Sequence, residues 1–271
     1  MAAVSGWSAE DQRSPEFRAL LPTATGASTA LHRQGVELIA RGEWYDAVRV
    51  LRRAEAAGST PALLRALAVA YYGARQHVLF QQTMEDAIRR EPANFAPHYY
   101  FGRHFGDDQN DWARAAESFE RAAALNPEHA ASHAYLGYAR ELEKLAEPAA
   151  AEYRRAIELG TGGRCLALPR AGMARLQLAD EHAAQALVFA EDAVRCDPKD
   201  ANARKALARA LAALGRTEGS IQAWHEALAI EPTDSATAYQ LYRAYQSAGR
   251  ESEAAHMLSE VKRLRKIYGG N

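Results

Sequence analysis

The stretch Ala201–Asp234 reads ANARKALARALAALGRTEGSIQAWHEALAIEPTD, and it decides the fold. Its 34 residues hold two apolar helical patterns with Gly215 between them, and glycine tolerates the left-handed geometry that closes a helix. Ser220, Trp224 and Ala227 recur at helical spacing along one stripe of the second helix. Neither helix alone can bury its stripe, so the sequence predicts a helix pair that packs against neighbouring pairs.

The same unit returns along the chain from Ser28 onward. A small residue late in each second helix marks the period, with steps of 33, 35, 34, 37, 34 and 34 residues. This series consists of Ala54, Ala87, Ala122, Ala156, Ala193, Ala227 and Val261. Strand signals are scarce, and a fixed period of this size indicates a solenoid. We therefore predict an all-α α-solenoid of about fourteen antiparallel helices between Ser28 and Tyr268.

The repeat resembles the tetratricopeptide repeat family, whose 34-residue unit carries W-x2-L-G-x2-Y, then A-x3-F, then A and P. The third copy shows Phe101-Gly102, Phe105, Ala115, Phe119, Ala122 and Pro127 at those places. Seven copies in phase cover about nine-tenths of the chain. The resemblance implies a right-handed superhelix over residues 28–271, which ends in a C-terminal capping helix.

Residues 1–27 do not fit the repeat. Ser14-Pro15-Glu16 is typical of a helix start, so we predict a tail with a short helix that caps the first repeat. The alternative is a segment that folds over the groove of the array.

Two copies depart from the period. The third has one extra residue near Gly106–Asp111, which predicts an enlarged turn. The fifth follows Gly160–Gly163, has Pro169 where its first helix should begin, and has Leu178–His182, which we interpret as a lengthened turn. Glycine and proline loosen the register. We expect either a harmless loop insertion or a local change of stacking, such as a hinge, at the fifth copy.

Composition narrows the function classes. The formal net charge is −1, which argues against a nucleic acid or an anionic membrane as partner. No apolar stretch is long enough to span a bilayer. The N-terminus lacks a secretory signal, so we predict a cytoplasmic location, with a trimmed secreted or periplasmic chain as the alternative. Cys165 and Cys196 are predicted to be unpaired structural thiols, although they could bond in an oxidising compartment.

No catalytic motif is visible. The nine histidines form neither HExxH nor a close cluster with cysteine in the sequence. The glycine-rich run at Gly160–Gly163 lacks the P-loop lysine, and no GxSxG is present. We therefore predict a protein that is not an enzyme and that has no cofactor or metal.

A binding role would then belong to the surface of the array. In the family that the repeat resembles, first helices line a concave groove, and positions 2, 5, 9, 12 and 13 of each unit are exposed there. Carried onto this chain, the partner-binding groove comprises His32, Arg65, Tyr72, Tyr99, Arg103, Tyr138, Lys205, Arg209, Tyr239 and Arg243. Arginine and tyrosine are enriched at binding hot spots.

This groove favours an acidic or carboxylate-bearing peptide as partner. The alternative is that the tyrosines pack between repeats and the arginines are solvated. Chaperone-binding members of the family clamp a C-terminal carboxylate with lysine and asparagine. Here Lys205 matches, but Arg209 stands where asparagine would, so we predict no chaperone-tail binding.

Three function hypotheses follow from the sequence. The first is a non-catalytic adaptor or scaffold that binds a peptide or partner segment in the Arg/Tyr-rich groove. The second is a structural or self-assembling accessory module of a larger complex. The third is an RNA or polyanion binder that uses the same arginines and aromatic rings.

Overall fold

The computed structural model describes residues 29–160 and 165–268. Fourteen α-helices dominate these two ranges, and no strand occurs within them, which confirms the all-α prediction. No helix in the described ranges is both long and apolar enough to cross a bilayer. The predicted capping helix in residues 1–27, and its alternative as a segment over the groove, lie outside the described residues.

The chain forms two compact units that divide between Pro127 and Glu128. The first contains α1 Thr29–Ala40, α2 Trp44–Ala57, α3 Pro61–Gly73, α4 His77–Arg90, α5 Phe95–Arg103, a π-helical turn His104–Asp108, and α6 Trp112–Leu125. Each of these helices packs against the next in the chain, and α1 also contacts α3.

The second unit contains eight helices in its described part. They are α7 Ala130–Leu142, α8 Ala146–Leu159, α9 Ala167–Ala179, α10 Ala183–Cys196, α11 Ala201–Ala213, α12 Thr217–Ile230, α13 Ser235–Ser247 and α14 Glu251–Tyr268. Neighbours in the chain pack together, and α7, α9 and α11 also contact one another in succession. The first helices of three consecutive pairs therefore lie side by side.

Many of the first helices have an N-cap residue whose side chain accepts a hydrogen bond from a backbone amide of the first turn. Thr60 accepts a hydrogen bond from the backbone of Leu63 at 3.2 Å, and Asp200 accepts one from Ala203 at 2.9 Å. Asp234 accepts from the backbone of Ala236 and Thr237. These bonds satisfy amide groups that a helix leaves without intrahelical partners at its N-terminus.

The turn inside each helix pair has the same backbone geometry. One residue per turn has a positive φ, and successive residues of this kind are 33, 35, 34, 37, 34 and 34 positions apart. They are Gly42, Arg75, Asn110, Lys144, Glu181, Gly215 and Gly249. The spacing reproduces the period of the sequence, and Gly215 closes its helix as predicted.

Small residues mark the close contacts between helices. All seven members of the small-residue series, from Ala54 to Val261, are buried. Gly137 shows how tight these contacts are, since a Cβ there would lie 2.7 Å from Cδ1 of Tyr153. A small residue at Gly137 is therefore required by the packing of α7 against α8.

The one-residue insertion of the third copy lies inside its first helix. The segment formed by α5 and the π-helical turn spans 14 residues, against 13 in α3 or α7. The turn that follows, residues 109–111, has the same length as residues 143–145 in the fourth copy. The prediction of an enlarged turn is thus wrong, because a wide π turn absorbs the extra residue.

The insertion of the fifth copy precedes α9. Residues 160–166 separate α8 from α9, whereas four residues, 197–200, separate α10 from α11. The turn at residues 180–182 has the usual three residues, so the predicted lengthening there is wrong. Pro169 lies in the first turn of α9, where its missing N–H breaks no helical bond. The division into compact units falls at Pro127, not at this insertion.

A disulfide ties the inserted segment to the next pair. Cys165 and Cys196 are bonded, with their Cα atoms 5.2 Å apart. The expectation of two unpaired thiols is therefore wrong. Cys165, which lies two residues before α9, is thereby joined to the last residue of α10.

Candidate binding surfaces

Four of the predicted groove residues are buried in the first unit. His32, Arg65, Tyr72 and Tyr99 are between 1% and 5% exposed, so the expectation that they are exposed is wrong. The Arg65 guanidinium donates to Glu91. Burial lowers the pKa of Arg65, while the Glu91 carboxylate raises it. These side chains contribute to the interior of the unit.

The other three buried groove residues are two tyrosines, Tyr72 and Tyr99, and the histidine His32. The Tyr72 hydroxyl donates to Asp108 at 2.5 Å, and the Tyr99 ring meets the Phe119 ring with centroids 5.9 Å apart. Within residues 29–160 and 165–268, neither ring nitrogen of His32 has a hydrogen-bond partner. Burial and the nearby Arg65 charge both lower the pKa of His32, so this ring is neutral at pH 7.

Arg103 is the fifth groove residue of the first unit, and it is also paired. Its Nε donates to Asp107 Oδ2 at 2.5 Å, and its side chain is only 15% exposed. An acidic ligand would have to compete with this carboxylate. Asp107 lies in the π-helical turn, four residues after Arg103, where the two side chains meet on one face.

A row of charged residues runs through the first helices of the second unit. Glu141, Arg175, Arg209 and Arg243 follow one another at intervals of 34 residues, on α7, α9, α11 and α13. Equivalent positions of stacked repeats lie in rows. The row thus contains one acid and three arginines.

The first two residues of this row, Glu141 and Arg175, form an ion pair with each other. Arg175 donates to both carboxylate oxygens of Glu141, at 2.6 and 2.7 Å. The Tyr153 hydroxyl donates to Glu141 at 2.6 Å. The Tyr153 ring fits against Gly137 and Gly172, where a Cβ would lie within 2.7 Å of it. The two glycines thereby admit the ring that orients the pair.

The pKa shifts of Arg175 and Tyr153 are consistent with a fully hydrogen-bonded Glu141–Arg175 pair. Burial alone would lower the pKa of Arg175, but its hydrogen bonds and attraction to Glu141 raise it above the usual value. Burial and the Glu141 carboxylate both raise the pKa of Tyr153, so its hydroxyl keeps the proton that it donates. Both charges of this pair are therefore committed within the protein.

Arg209 and Arg243 continue the row without such an acid. In the described ranges, neither side chain forms an ion pair, and both line one pocket of about 310 Å³. The other lining residues are uncharged: Ala212, Thr217, Ser220, Trp224, Gln240, Ala244 and Ser247. Among the predicted groove residues, the structure brings these two arginines together at an open site.

The surroundings of Arg209 favour an added negative charge. Its guanidinium lies 6.0 Å from the centroid of the Trp224 ring, within range of a cation–π contact. Partial burial of the guanidinium and repulsion from Arg175 lower the pKa of Arg209, against a weaker opposite effect of Glu141. A ligand carboxylate beside Arg209 would compensate both costs.

The remaining groove residues of the second unit are divided. Lys205 donates to Glu231 at 2.5 Å and lies 2.7 Å from Asp234, so its charge is already used. Tyr138 is half-buried, with the Arg175 guanidinium 5.8 Å from its ring centroid. Tyr239 is 37% exposed beside Arg265. Tyr239 is thus the aromatic groove residue that remains open in this unit.

Sequence reasoning did not single out Arg175, Gln240 or Ser247. The 34-residue step from Glu141 to Arg175 was a usable signal, because equal repeat positions on neighbouring first helices meet. Gln240 and Ser247 carried no comparable signal, since many exposed helix positions hold such residues. Their place in the pocket emerges only from the packing of α11 against α12 and of α12 against α13.

Solved structures share this architecture. The C-terminal part of a TPR repeat-containing protein from Cytophaga hutchinsonii matches with a TM-score of 0.58 and 14% identity, over 88% of this chain and 96% of that one. The fold is that of the tetratricopeptide repeat. PilF of Pseudomonas aeruginosa matches with a TM-score of 0.65 and 17% identity, over 88% of this chain and 100% of PilF.

A third tetratricopeptide-repeat match belongs to a larger assembly. A chain of the APC/C hetero-tetramer Cut9–Hcn1 matches with a TM-score of 0.66 and 18% identity; the match covers 87% of this chain but only 45% of that one. No protein-family model matches the sequence, and no curated protein matches it either. Identities this low establish the fold and leave the function to be argued from the site.

Proposed function

We propose that this chain is a non-catalytic adaptor that binds an acidic segment of a partner protein at the pocket lined by Arg209 and Arg243. The observation that carries the proposal is the pairing state of the charged row. Glu141 satisfies Arg175, while the next two arginines share a pocket that has no acid in its described lining. Two planar donor forks at one site suit a carboxylate ligand.

The pocket also limits the kind of ligand. Its volume of about 310 Å³ is at the small end for ligand sites, so it suits one or two side chains of a peptide. Thr217, Gln240 and Ser247 can hydrogen-bond the ligand backbone beside the arginines. A partner segment with an aspartate or glutamate anchored here is therefore the favoured occupant.

The architecture supports a role in binding other proteins. Stacked helix pairs present repeated surface positions, which such folds use for extended binding surfaces. The Cut9–Hcn1 structure is described as a hetero-tetramer, so one protein of the same fold assembles with another protein. Obligate interfaces between copies are large and mostly apolar, whereas this pocket is small and its lining includes two arginines.

The test is a titration of labelled acidic and neutral peptides of equal length. We expect Arg209→Gln with Arg243→Gln to weaken binding of the acidic peptide at least tenfold, since a hydrogen bond to a charged group contributes about 1.5–3 kcal/mol. The matched control is Arg154→Gln with Arg195→Gln. It removes the same charge from two exposed sites on α8 and α10.

Equal losses in both double variants would indicate non-specific attraction and contradict the pocket. Single-stranded RNA is the third ligand in the titration. RNA binding that exceeds peptide binding and falls steeply with salt would favour the polyanion hypothesis. Light scattering on the free chain that shows a large assembly would favour the structural module.

We infer further that the chain resides in an oxidising compartment. Disulfides persist in such compartments and are rare in the cytoplasm. The bond between Cys165 and Cys196 therefore favours the secreted or periplasmic alternative over the predicted cytoplasmic location. Alkylation of protein taken from its native source, without reductant, should leave both cysteines unmodified. Two alkylated thiols would restore the cytoplasmic assignment.

A further inference from the structure

A compact polar cluster lies in the first unit where α3, α4 and the π-helical turn meet. It consists of His77, His104 and Asp108, with the Tyr72 hydroxyl and Gln109 beside them. One potential ligand atom from each of the first three residues lies within 4.8 Å of the other two. The rings of His77 and His104 stack with centroids 5.5 Å apart and an interplanar angle of 13°.

The π-helical turn creates this cluster. The single extra residue of the third copy widens the helix at His104–Asp108, and π turns of this kind are frequent at functional sites. His104 Nδ1 and Asp108 Oδ2 lie 2.9 Å apart, with side chains 1% and 8% exposed. His77 begins α4 and is half-buried, so one side of the cluster remains within reach of solvent.

Two buried atoms of the cluster have no hydrogen-bond partner among the residues that the structure describes. They are Nδ1 of His77 and Oδ1 of Asp108. A buried polar atom in this state loses its hydration with no compensating hydrogen bond, so a ligand that restores a partner is favoured. An imidazole nitrogen and a carboxylate oxygen both bind metal ions through lone pairs. Here the unpartnered atoms belong to the same three residues that converge.

We propose that His77, His104 and Asp108 bind one divalent transition-metal cation of the zinc class. Two histidine nitrogens and one carboxylate oxygen leave a fourth position for water or a further ligand. This donor set suits zinc, cobalt or nickel; calcium and magnesium require more oxygen ligands than the cluster offers.

The neighbouring groups fit a metal-bound state. Gln109 Nε2 lies 2.8 Å from Nε2 of His104. Turning this amide over would present its carbonyl oxygen to an Nε2–H, which leaves Nδ1 with a lone pair for the metal. The Tyr72 hydroxyl donates to Asp108 and so fixes the carboxylate.

The ligand separations require a small adjustment on binding. Two ligand atoms on a tetrahedral zinc lie about 3.3 Å apart, given bonds of about 2.0–2.1 Å. The 2.9 Å between His104 and Asp108 is close to this value, whereas the 4.8 Å limit of the cluster is wider. A movement of the half-buried His77 ring nitrogen by about one to two ångströms would bring the ligand atoms to the separation that zinc requires.

The test uses the untagged full chain after dialysis against EDTA. Calorimetric titration with zinc should show one ion per chain and a higher melting temperature, and calcium or magnesium should show neither. Cobalt should give the strong visible absorption of a four-coordinate ion. His77→Gln and Asp108→Asn should each weaken zinc binding at least tenfold, while Tyr72→Phe should weaken it less.

The control is His182→Gln, an exposed histidine in the second unit, which should bind zinc as the wild type does. Circular dichroism checks that each variant is folded. If Asp108→Asn loses its helical signal, His77→Gln decides, because that side chain is half-buried. Zinc binding that both variants retain, or no stoichiometric binding to the wild type, would overturn the proposal and leave the cluster as a buried hydrogen-bond network.

Discussion

The two units use the same repeat architecture, but they differ in which of their charged side chains form ion pairs within the protein. In the first unit, Arg65 pairs with Glu91 and Arg103 pairs with Asp107. In the second, the Glu141–Arg175 pair is followed along the row by two arginines that share a pocket. A repeat position alone therefore does not make a residue available for binding. The supply of carboxylates within the protein decides which cations remain open.

The largest expected effect concerns the ring that supports the closed part of the row. Tyr153 is fully buried against Gly137 and Gly172. Tyr153→Ala should lower the free energy of unfolding by about 3–5 kcal/mol, the usual cost of removing a buried aromatic ring. Urea unfolding followed by circular dichroism measures the loss.

Two further variants separate the ring from its hydroxyl. Tyr153→Phe keeps the packing and should cost only about 1–3 kcal/mol, because it removes the hydrogen bond to Glu141. Tyr239→Ala removes a ring that is 37% exposed and should cost less than Tyr153→Ala. A Tyr239→Ala loss as large as that of Tyr153→Ala would contradict this account of the core.

The second prediction concerns a variant that removes the carboxylate partner of one arginine in the row. Glu141→Gln removes the carboxylate that Arg175 holds with both arms of its guanidinium. We expect a loss of about 2 kcal/mol in the free energy of unfolding, because a partly buried guanidinium loses its charged partner. If the row binds an acidic segment, the released Arg175 should also strengthen acidic-peptide binding several-fold.

The outcome of Glu141→Gln tests the comparison between the units directly. Asp107→Asn is the equivalent change in the first unit, where it releases Arg103. Unchanged peptide binding in Glu141→Gln, measured in the same titration, would show that Arg175 does not reach the ligand. Stronger binding in Asp107→Asn alone would move the site to the first unit.

The sequence was sufficient to predict the repeat, the helix count and the small-residue contacts. The reason is that a 34-residue period and alanine at fixed places are themselves packing constraints, as the buried Ala156 and Ala227 show. It also predicted that Arg209 and Arg243 belong to one surface. These features depend on local spacing, which a sequence contains in full.

The sequence did not reveal where the insertions lie or which charges are paired. One extra residue can enter a turn or widen a helix, and the π-helical turn His104–Asp108 shows that the second outcome occurs here. The His77–His104–Asp108 cluster was hidden because His77 lies on a different helix, 27 residues before His104, and a His–Asp pair four residues apart is common on helices. The partner of Arg65, Glu91, is 26 residues away, a separation that no motif encodes.

The smallest expected effect concerns a feature in which the two units should agree. Arg75 in the first unit and Lys144 in the second occupy the left-handed position of their turns, with φ of 58° and 64°. Gly215 and Gly249 occupy the same place in other repeats. A residue with a Cβ is destabilised by about 1–2 kcal/mol in this conformation. Glycine avoids this strain, but it loses about 0.5–1 kcal/mol more in chain entropy on folding. Arg75→Gly and Lys144→Gly should therefore each raise the free energy of unfolding by about 0.5–1 kcal/mol.

The matched controls for this last prediction are Arg75→Ala and Lys144→Ala. Each removes the same charge but keeps the Cβ, so it should leave stability nearly unchanged, since both side chains are exposed. Urea unfolding of the four variants under one buffer measures the difference. Equal gains from Arg75→Gly and Lys144→Gly would show that the units share one backbone and differ in their side-chain pairing. A gain in only one unit, or an equal gain from alanine, would mean that the turns are not equivalent or that charge explains the effect.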